Sequence, residues 1–209
     1  MNSVINQFTR EEIAAHHALF VERTALYKKH GLDQEEARDA IIRQISKNCR
    51  SILEIGTGKG HFTALLAASF ERIDTVDLDA QAHRAAMLHA SYYGLLDRIR
   101  FVTADSEHLG YADRSFDAVV SAYTFHHLVN PFKVIREMMR VAATQVVISD
   151  FSDAGFALID RVHGSRGTAH EREAGDFSIV GVFLKEHGFN VTVIEDRWQI
   201  IYSALRKNT

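Results

Sequence analysis

Residues 52–63 read ILEIGTGKGHFT, with Gly56, Gly58 and Gly60 at every second position behind a carboxylate, Glu54. Glycine allows a sharp backbone bend and lets a ligand approach the main chain closely. The bend follows an apolar run and precedes a helical pattern, so the segment reads as strand, tight turn and helix start. A phosphate would gain nothing from an anion at the end of that strand, whereas a cationic ligand would. Two phosphate-binding patterns also fail on spacing. The dinucleotide fingerprint G-x-G-x-x-G places its third glycine where His61 stands, and the G-x-x-x-x-G-K-[ST] loop needs a hydroxyl residue where Gly60 follows Lys59.

Other groups suited to chemistry lie further along. Asp77 closes a strand-like IDTVD about twenty residues after the turn, where nucleoside-binding α/β folds place an acid that accepts bonds from ribose hydroxyls. Asp79 then suits the N-cap of the next helix. Asp105 follows a third strand-like run, FVTAD, and Asp117 reads as a structural residue at the start of a fourth. His126 and His127 sit in SAYTFHHLVNP, and an imidazole there could take a proton near neutral pH or fix its loop by hydrogen bonding. Adjacent side chains point apart, so one histidine of the pair is expected to face a ligand. Asp150 and Asp153 are two spaced acids to which no metal is assigned.

These groups need elements to hold them. Thr9 and Glu12 form a capping box for a first helix, which ends in Lys28, Lys29 and His30 before Gly31. Asp33 and Glu36 open a second, running to about residue 47. Strands follow at about 51–55, 72–76, 98–103, 116–121 and 144–149, with helices at 59–70, 79–93 and 130–140; Asn130 with Pro131 marks the last start. Asp176 caps a helix that stops at Gly188. Residues 190–195 and 198–205 are both strand-like, and so short a link forces an antiparallel pair. The glycine turn, Asp77, Asp105 and the segment from Ser121 all follow carboxyl ends of strands, the rim where open α/β sheets bind ligands.

The composition suits one globular unit: 209 residues, 46% hydrophobic, formal net charge −3. No basic run points to a phosphate backbone. The single cysteine, Cys49, cannot form an internal disulfide, the N-terminal MNSVINQFTREE lacks signal-peptide character, and no stretch reaches the length of a membrane span. A cytoplasmic location is expected.

The pattern E-x-G-x-G-x-G after a strand resembles motif I of the class I S-adenosylmethionine-dependent methyltransferases. The similarity covers about residues 51–150 well and the tail moderately. SAYTFHHLVNP resembles the post-strand segment of the subgroup that includes ubiquinone- and menaquinone-biosynthesis C-methyltransferases. The resemblance implies an α/β, Rossmann-like seven-stranded sheet, mostly parallel with an antiparallel last strand, plus N-terminal helices. It divides the single unit into a helical cap at 1–48 and a methyltransferase domain at 49–209, with 151–175 as a lid or substrate loop. Phe20 and Tyr27 of the first helix are expected to close over the same rim.

It also implies S-adenosylmethionine as cofactor, held by Glu54, Gly56, Thr57, Gly58 and Gly60, with Glu54 toward the charged tail. Asp77 would take the ribose, Leu78 the adenine face and Asp105 the adenine amino group. Ser106 would lie beside the ring, and the backbone of Ser121 and Ala122 beneath the methionine part. His126 or His127 is the candidate base. The implied reaction is in-line methyl transfer to a small organic acceptor with release of S-adenosylhomocysteine. The nucleobase-amine branch is set aside because SAYT replaces its D/N-P-P-Y/F motif, and the cytosine C5 branch because Cys49 lies before the first strand. No nucleic-acid partner and no membrane span are expected, and the oligomeric state is open. Two rivals stand beside this reading: a module that binds S-adenosylmethionine without transferring methyl, and a nucleotide-linked oxidoreductase.

Overall fold

The computed structural model describes residues 7–164 and 175–207. Two helices open the chain, α1 (Arg10–Lys29) and α2 (Gln34–Ile42). Thr9 and Glu12 make the expected reciprocal cap on α1, and Asp33 accepts from the backbone of Glu35 and Glu36 to start α2. α2 ends five residues earlier than the sequence pattern suggests. The Gln145 side chain accepts from the Ser46 N–H and donates to the Gln44 carbonyl, drawing those backbone groups to the sheet instead of into another helical turn.

Alternation follows: β1 (Ser51–Ile55), α3 (His61–Ser69), β2 (Arg72–Asp77), α4 (Ala80–Tyr92), β3 (Ile99–Thr103), β4 (Phe116–Ala122), α5 (Pro131–Val141), β5 (Ala142–Phe151), α6 (Asp153–Gly164), α7 (Val180–Glu186), β6 (Phe189–Glu195) and β7 (Gln199–Arg206). The strand order is β3-β2-β1-β4-β5-β7-β6. β1 to β5 pair in parallel, and β7 lies antiparallel to both β5 and β6, as the short link between the last two strands requires. The order reverses between β1 and β4, so a crevice opens beyond their carboxyl ends.

One core cluster, including Leu53, Phe116, Val146 and Met138, lies on the face covered by α5 and α7; another, including Ile52, Leu66, Val120 and Ile201, lies under α2 and α3. A smaller cluster joins Tyr27 and Leu32 to Leu158, Ile159 and Val162 of α6. Asp117 ties the starts of β1 and β4 by accepting from the Arg50 and Ser51 N–H groups and the Ser51 hydroxyl, the structural role read from its position. Asn130 does not cap α5 with its side chain, which donates to Glu107; Pro131 alone marks the helix start. The expected loop at 151–175 is helical over Asp153–Gly164, while residues 165–174 lie outside the described residues. Before α7, Asp176 caps a short 3-10 turn at Phe177–Ile179. Among the described residues no helix is long and apolar enough to cross a membrane.

Candidate functional site

The carboxyl ends of β1, β2 and β4 meet at a cavity of about 680 Å³, within the roughly 300–1,000 Å³ typical of small-ligand sites. Glu54, the next-to-last residue of β1, lines it at 1% exposure. The Thr63 and Thr75 hydroxyls donate to its Oε2 at 2.6 and 2.7 Å. Thr75 spends its one hydroxyl proton there, so in its 2.7 Å contact with Thr57 the proton comes from Thr57. The threonine bonds favour the ionised carboxylate, but burial outweighs them and pushes the Glu54 pKa up to about 8. A buried acid kept uncharged at a cavity wall suits a ligand that brings its own positive charge.

The loop itself is built by packing as much as for ligand approach. A Cβ on Gly56 would lie 2.1 Å from Thr124 Oγ1, and one on Gly60 would lie 2.5 Å from Ala86 Cα. These two glycines let the loop close on its neighbours, and both have positive φ, +87° and +76°. Gly58 differs: nothing lies within 4 Å of its missing Cβ, and its N–H donates to Asp77 Oδ2 at 2.9 Å. Gly56, Thr57 and Gly58 line the cavity; Gly60 supports it from behind.

Asp77 ends β2 at the cavity, its other oxygen accepting from the Asp79 N–H at 3.0 Å. Asp79 caps α4 separately, as its position suggested. Each Asp77 oxygen keeps a further lone pair for a hydroxyl donor. Beside it Leu78 is 70% exposed on the cavity wall, an apolar face suited to a flat ring.

Not every expected residue reaches the cavity. Ala104 and Ser106 line it, but Asp105 does not; its carboxylate accepts from the Glu107 N–H at 2.8 Å and lies beside His108. Ser121 is also absent from the wall. Its hydroxyl donates to the Ile55 carbonyl at 3.1 Å and bridges β1 to β4, while Ala122 lines the cavity. Tyr27 lines it too, but Phe20 packs away on the rings of His61 and His89.

Both His126 and His127 line the cavity, against the expectation that only one would, because a short 3-10 turn at Phe125–His127 tilts their rings at 50° to each other. His126 is buried and held twice by Asp150: its N–H donates to Oδ2 at 2.9 Å and its Nδ1 lies 2.7 Å from Oδ1. With Nδ1 turned to the Asp150 carboxyl, Nε2 is the ring nitrogen that Asp150 leaves uncommitted.

Several lining residues carry no readable sequence signal. Arg23 comes from α1, Gln34 and Arg38 from α2, and Tyr123 from the turn after β4. Arg38 lies over the Tyr123 ring, 5.9 Å from its centroid, and Arg23 over Tyr27 at 5.7 Å. Burial, with the charge of Arg23 adding to it, holds the Arg38 pKa below its usual value. Tyr123 has φ +56°, a left-handed conformation that costs a non-glycine residue about 1–2 kcal/mol. Its ring stacks on Phe151 at 4.4 Å and its hydroxyl donates to Gln199 at 2.6 Å. Gln199 is fully buried and also bonds Ser149 and the Ala37 carbonyl, so one amide ties α2, β5 and this turn together.

Comparison with known proteins decides what this arrangement belongs to. Residues 53–148 match a family model described as a methyltransferase domain. It is 31% identical over 120 residues to a demethylmenaquinone methyltransferase of Roseiflexus, covering 57% of this chain and 49% of that protein. It is 30% identical over 103 residues to an ajmaline N-methyltransferase of Rauvolfia serpentina, covering 49% and 35% respectively. The chain thus spans about half or less of the length of these relatives. Among solved structures, the YcgJ protein of Bacillus subtilis superposes with a TM-score of 0.66 over 84% of this chain and all of that one; at 16% identity this bears on the fold alone. The methyltransferase fold therefore extends well beyond residues 53–148.

Proposed function

We propose that this protein transfers a methyl group from S-adenosylmethionine, in line, to a small organic acceptor and releases S-adenosylhomocysteine. The observation that carries the reading is Glu54: a buried acid, poised uncharged at a cavity of nucleoside size, for which a cofactor ammonium is the fitting partner. Asp77 would accept the two ribose hydroxyls and Leu78 would cover the adenine. Thr57 steadies Glu54 through Thr75, and Gly58, Ser106 and Ala122 contribute backbone beside the ligand. Asp105 and Ser121 act at one remove, by shaping their loops. The cofactor supplies an electrophilic methyl: its S–CH3 bond breaks with the electron pair staying on sulfur as the acceptor–CH3 bond forms.

The remaining work falls to side chains. Positioning of the reacting groups supplies most of the rate. For a hydroxyl acceptor, His126 Nε2 would take the departing proton while Asp150 holds the ring; His127 is the neighbouring alternative. The Roseiflexus relative is named for a menaquinone precursor and the Rauvolfia relative for an alkaloid nitrogen, so a small acceptor is the common ground, with the acceptor atom open. The reading treats residues 1–48 as a cap on the 49–209 domain; of the expected lid or substrate loop at 151–175, residues 165–174 lie outside the described residues. It implies a cytoplasmic enzyme with no nucleic-acid partner.

The test compares S-adenosylhomocysteine with 5′-methylthioadenosine, which lacks the amino-acid tail, by calorimetry. Glu54→Gln should weaken the first at least about tenfold and leave the second within about twofold, since a charged bond contributes about 1.5–3 kcal/mol. Glu54 must lose its proton to hold the ammonium, so wild-type affinity should rise by up to about tenfold per unit from pH 6 to pH 8, and the Gln variant should show no such rise. Absence of binding by the wild type, or full retention by a Glu54→Gln/Asp77→Asn double variant, would overturn the reading. Once an acceptor is found, turnover unchanged in both His126→Ala and His127→Ala removes the base assignment alone.

A further inference from the structure

The two arginines on the cavity wall pose an electrostatic question. Arg38 donates one bond, from Nη1 to the Gln34 carbonyl at 2.9 Å, and Arg23 rests on the face of Tyr27. Among the described residues neither guanidinium has a carboxylate within ion-pair distance. They are close enough to repel, and both also disfavour a proton on His61, another cavity residue. A partly buried guanidinium left without an anion is costly, and its planar fork matches an oxyanion.

On the methyltransferase reading above, the cofactor answers only part of this charge. Its ammonium is met by Glu54, its ribose occupies Asp77, and its single carboxylate can satisfy one guanidinium. Arg38, nested between Gln34 and Tyr123, is the better enclosed of the two for that carboxylate. The second guanidinium and the sulfonium are then left without counter-charges. We propose that Arg23 is the counter-charge for the acceptor, and that the acceptor is a small molecule bearing an oxyanion, a carboxylate or a phosphate monoester. Such an anion would place negative charge on the side of the cavity where the electrophilic methyl must be approached. A neutral acceptor of the same shape would leave Arg23 unanswered.

The experiment uses the full chain saturated with S-adenosylhomocysteine and measures binding of matched pairs by calorimetry: small aromatic and aliphatic carboxylates beside their amides, and phosphate monoesters beside their parent alcohols. At least one anion should bind about tenfold or more tightly than its neutral partner, the size of one charge-assisted bond. Preference for carboxylates alone, or for phosphates alone, names which source of the oxyanion the site takes. Arg23→Gln should abolish the preference while changing S-adenosylhomocysteine affinity by less than about threefold. Arg38→Gln should weaken S-adenosylhomocysteine about tenfold and spare 5′-methylthioadenosine. Arg23→Lys, which keeps the charge without the fork, should retain part of the preference and guards against a folding defect in the Gln variant. The proposal is overturned if no anion outcompetes its neutral partner, if the preference survives Arg23→Gln, or if Arg23→Gln weakens S-adenosylhomocysteine as much as Arg38→Gln does. The last result would give both arginines to the cofactor. Wild-type protein that binds no S-adenosylhomocysteine would instead defeat the methyltransferase reading itself.

Discussion

The glycine loop and the N-terminal helices line one cavity but are put there by different forces. In the loop, a few adjacent residues decide the geometry: positive φ at Gly56, Gly58 and Gly60, a backbone bond from Gly58 to Asp77, and a carboxylate two residues before the bend. In the helices, the cavity residues arrive by packing. Arg38 depends on where α2 docks, and that docking depends on Gln145 and Gln199, more than a hundred residues away. The difference teaches that the glycine-loop wall of the cavity is a local motif, whereas the helical wall is a tertiary product. A substitution in the first should act through the backbone; one in the second should act through helix placement and charge.

The largest expected effect tests the first half of that contrast. Gly56→Ala forces a Cβ to within 2.1 Å of Thr124 Oγ1 at φ +87°. Left-handed strain plus overpacking should cost about 2–5 kcal/mol in unfolding free energy, read from urea midpoints. Gly58→Ala meets no neighbour within 4 Å, though its φ is +48°, and should cost only about 1 kcal/mol. Equal losses at the two positions would show that the loop is not held by the Thr124 contact.

That distinction also explains what could be read in advance. The alternation of strands and helices, the reversed β7, the cap at Asp79 and the placement of Glu54 and Asp77 at strand ends rest on short-range patterns, and those patterns survive in the fold. Thr63 and Thr75, which hold Glu54, escaped notice because a buried threonine on a helix or strand looks like any other β-branched core residue. Tyr123 gives no warning of a positive φ, a conformation usually signalled by glycine or asparagine. Arg23 and Arg38 read as ordinary charges on helices. The early end of α2 has the same root, since Gln145 has no sequence-local relation to Gln44 and Ser46.

A middle-sized effect probes the helix side. His89 of α4 is 2% exposed among Phe20, His61 and Tyr93, and its Nδ1 has no partner among the described residues. Burial, then the charges of His16, His17 and Arg38, bring its pKa down to about 4. Between that value and the unfolded pKa near 6.5 the unfolded chain binds more protons, so this site costs stability as pH falls from about 6.5 to 4. Between pH 7 and pH 5 the loss should be about 2 kcal/mol. His89→Phe should remove it, measured as the difference between variant and wild-type urea curves at the two pH values, so that Glu54 and His61 cancel. If the variant keeps the full acid loss, the packing of α1 on α4 does not rest on a neutral His89.

The smallest effect sharpens the boundary of the glycine-loop wall. Sequence position gives Asp77 and Asp105 parallel claims, since each follows a neighbouring strand on the same rim. Their surroundings separate them. Asp77 lines the cavity and accepts from Gly58, whereas Asp105 turns its carboxylate into its own loop, toward the Glu107 N–H and His108. Its side chain is about half exposed, so whatever charge it offers the cavity is screened by water. Asp105→Ala should therefore change S-adenosylhomocysteine affinity by less than about twofold, below about 0.4 kcal/mol, while Asp77→Asn should weaken it about tenfold or more. A tenfold loss in the Asp105 variant would mean that the loop reorganises on binding and brings that carboxylate to the ligand, making this wall of the cavity less local than its geometry suggests.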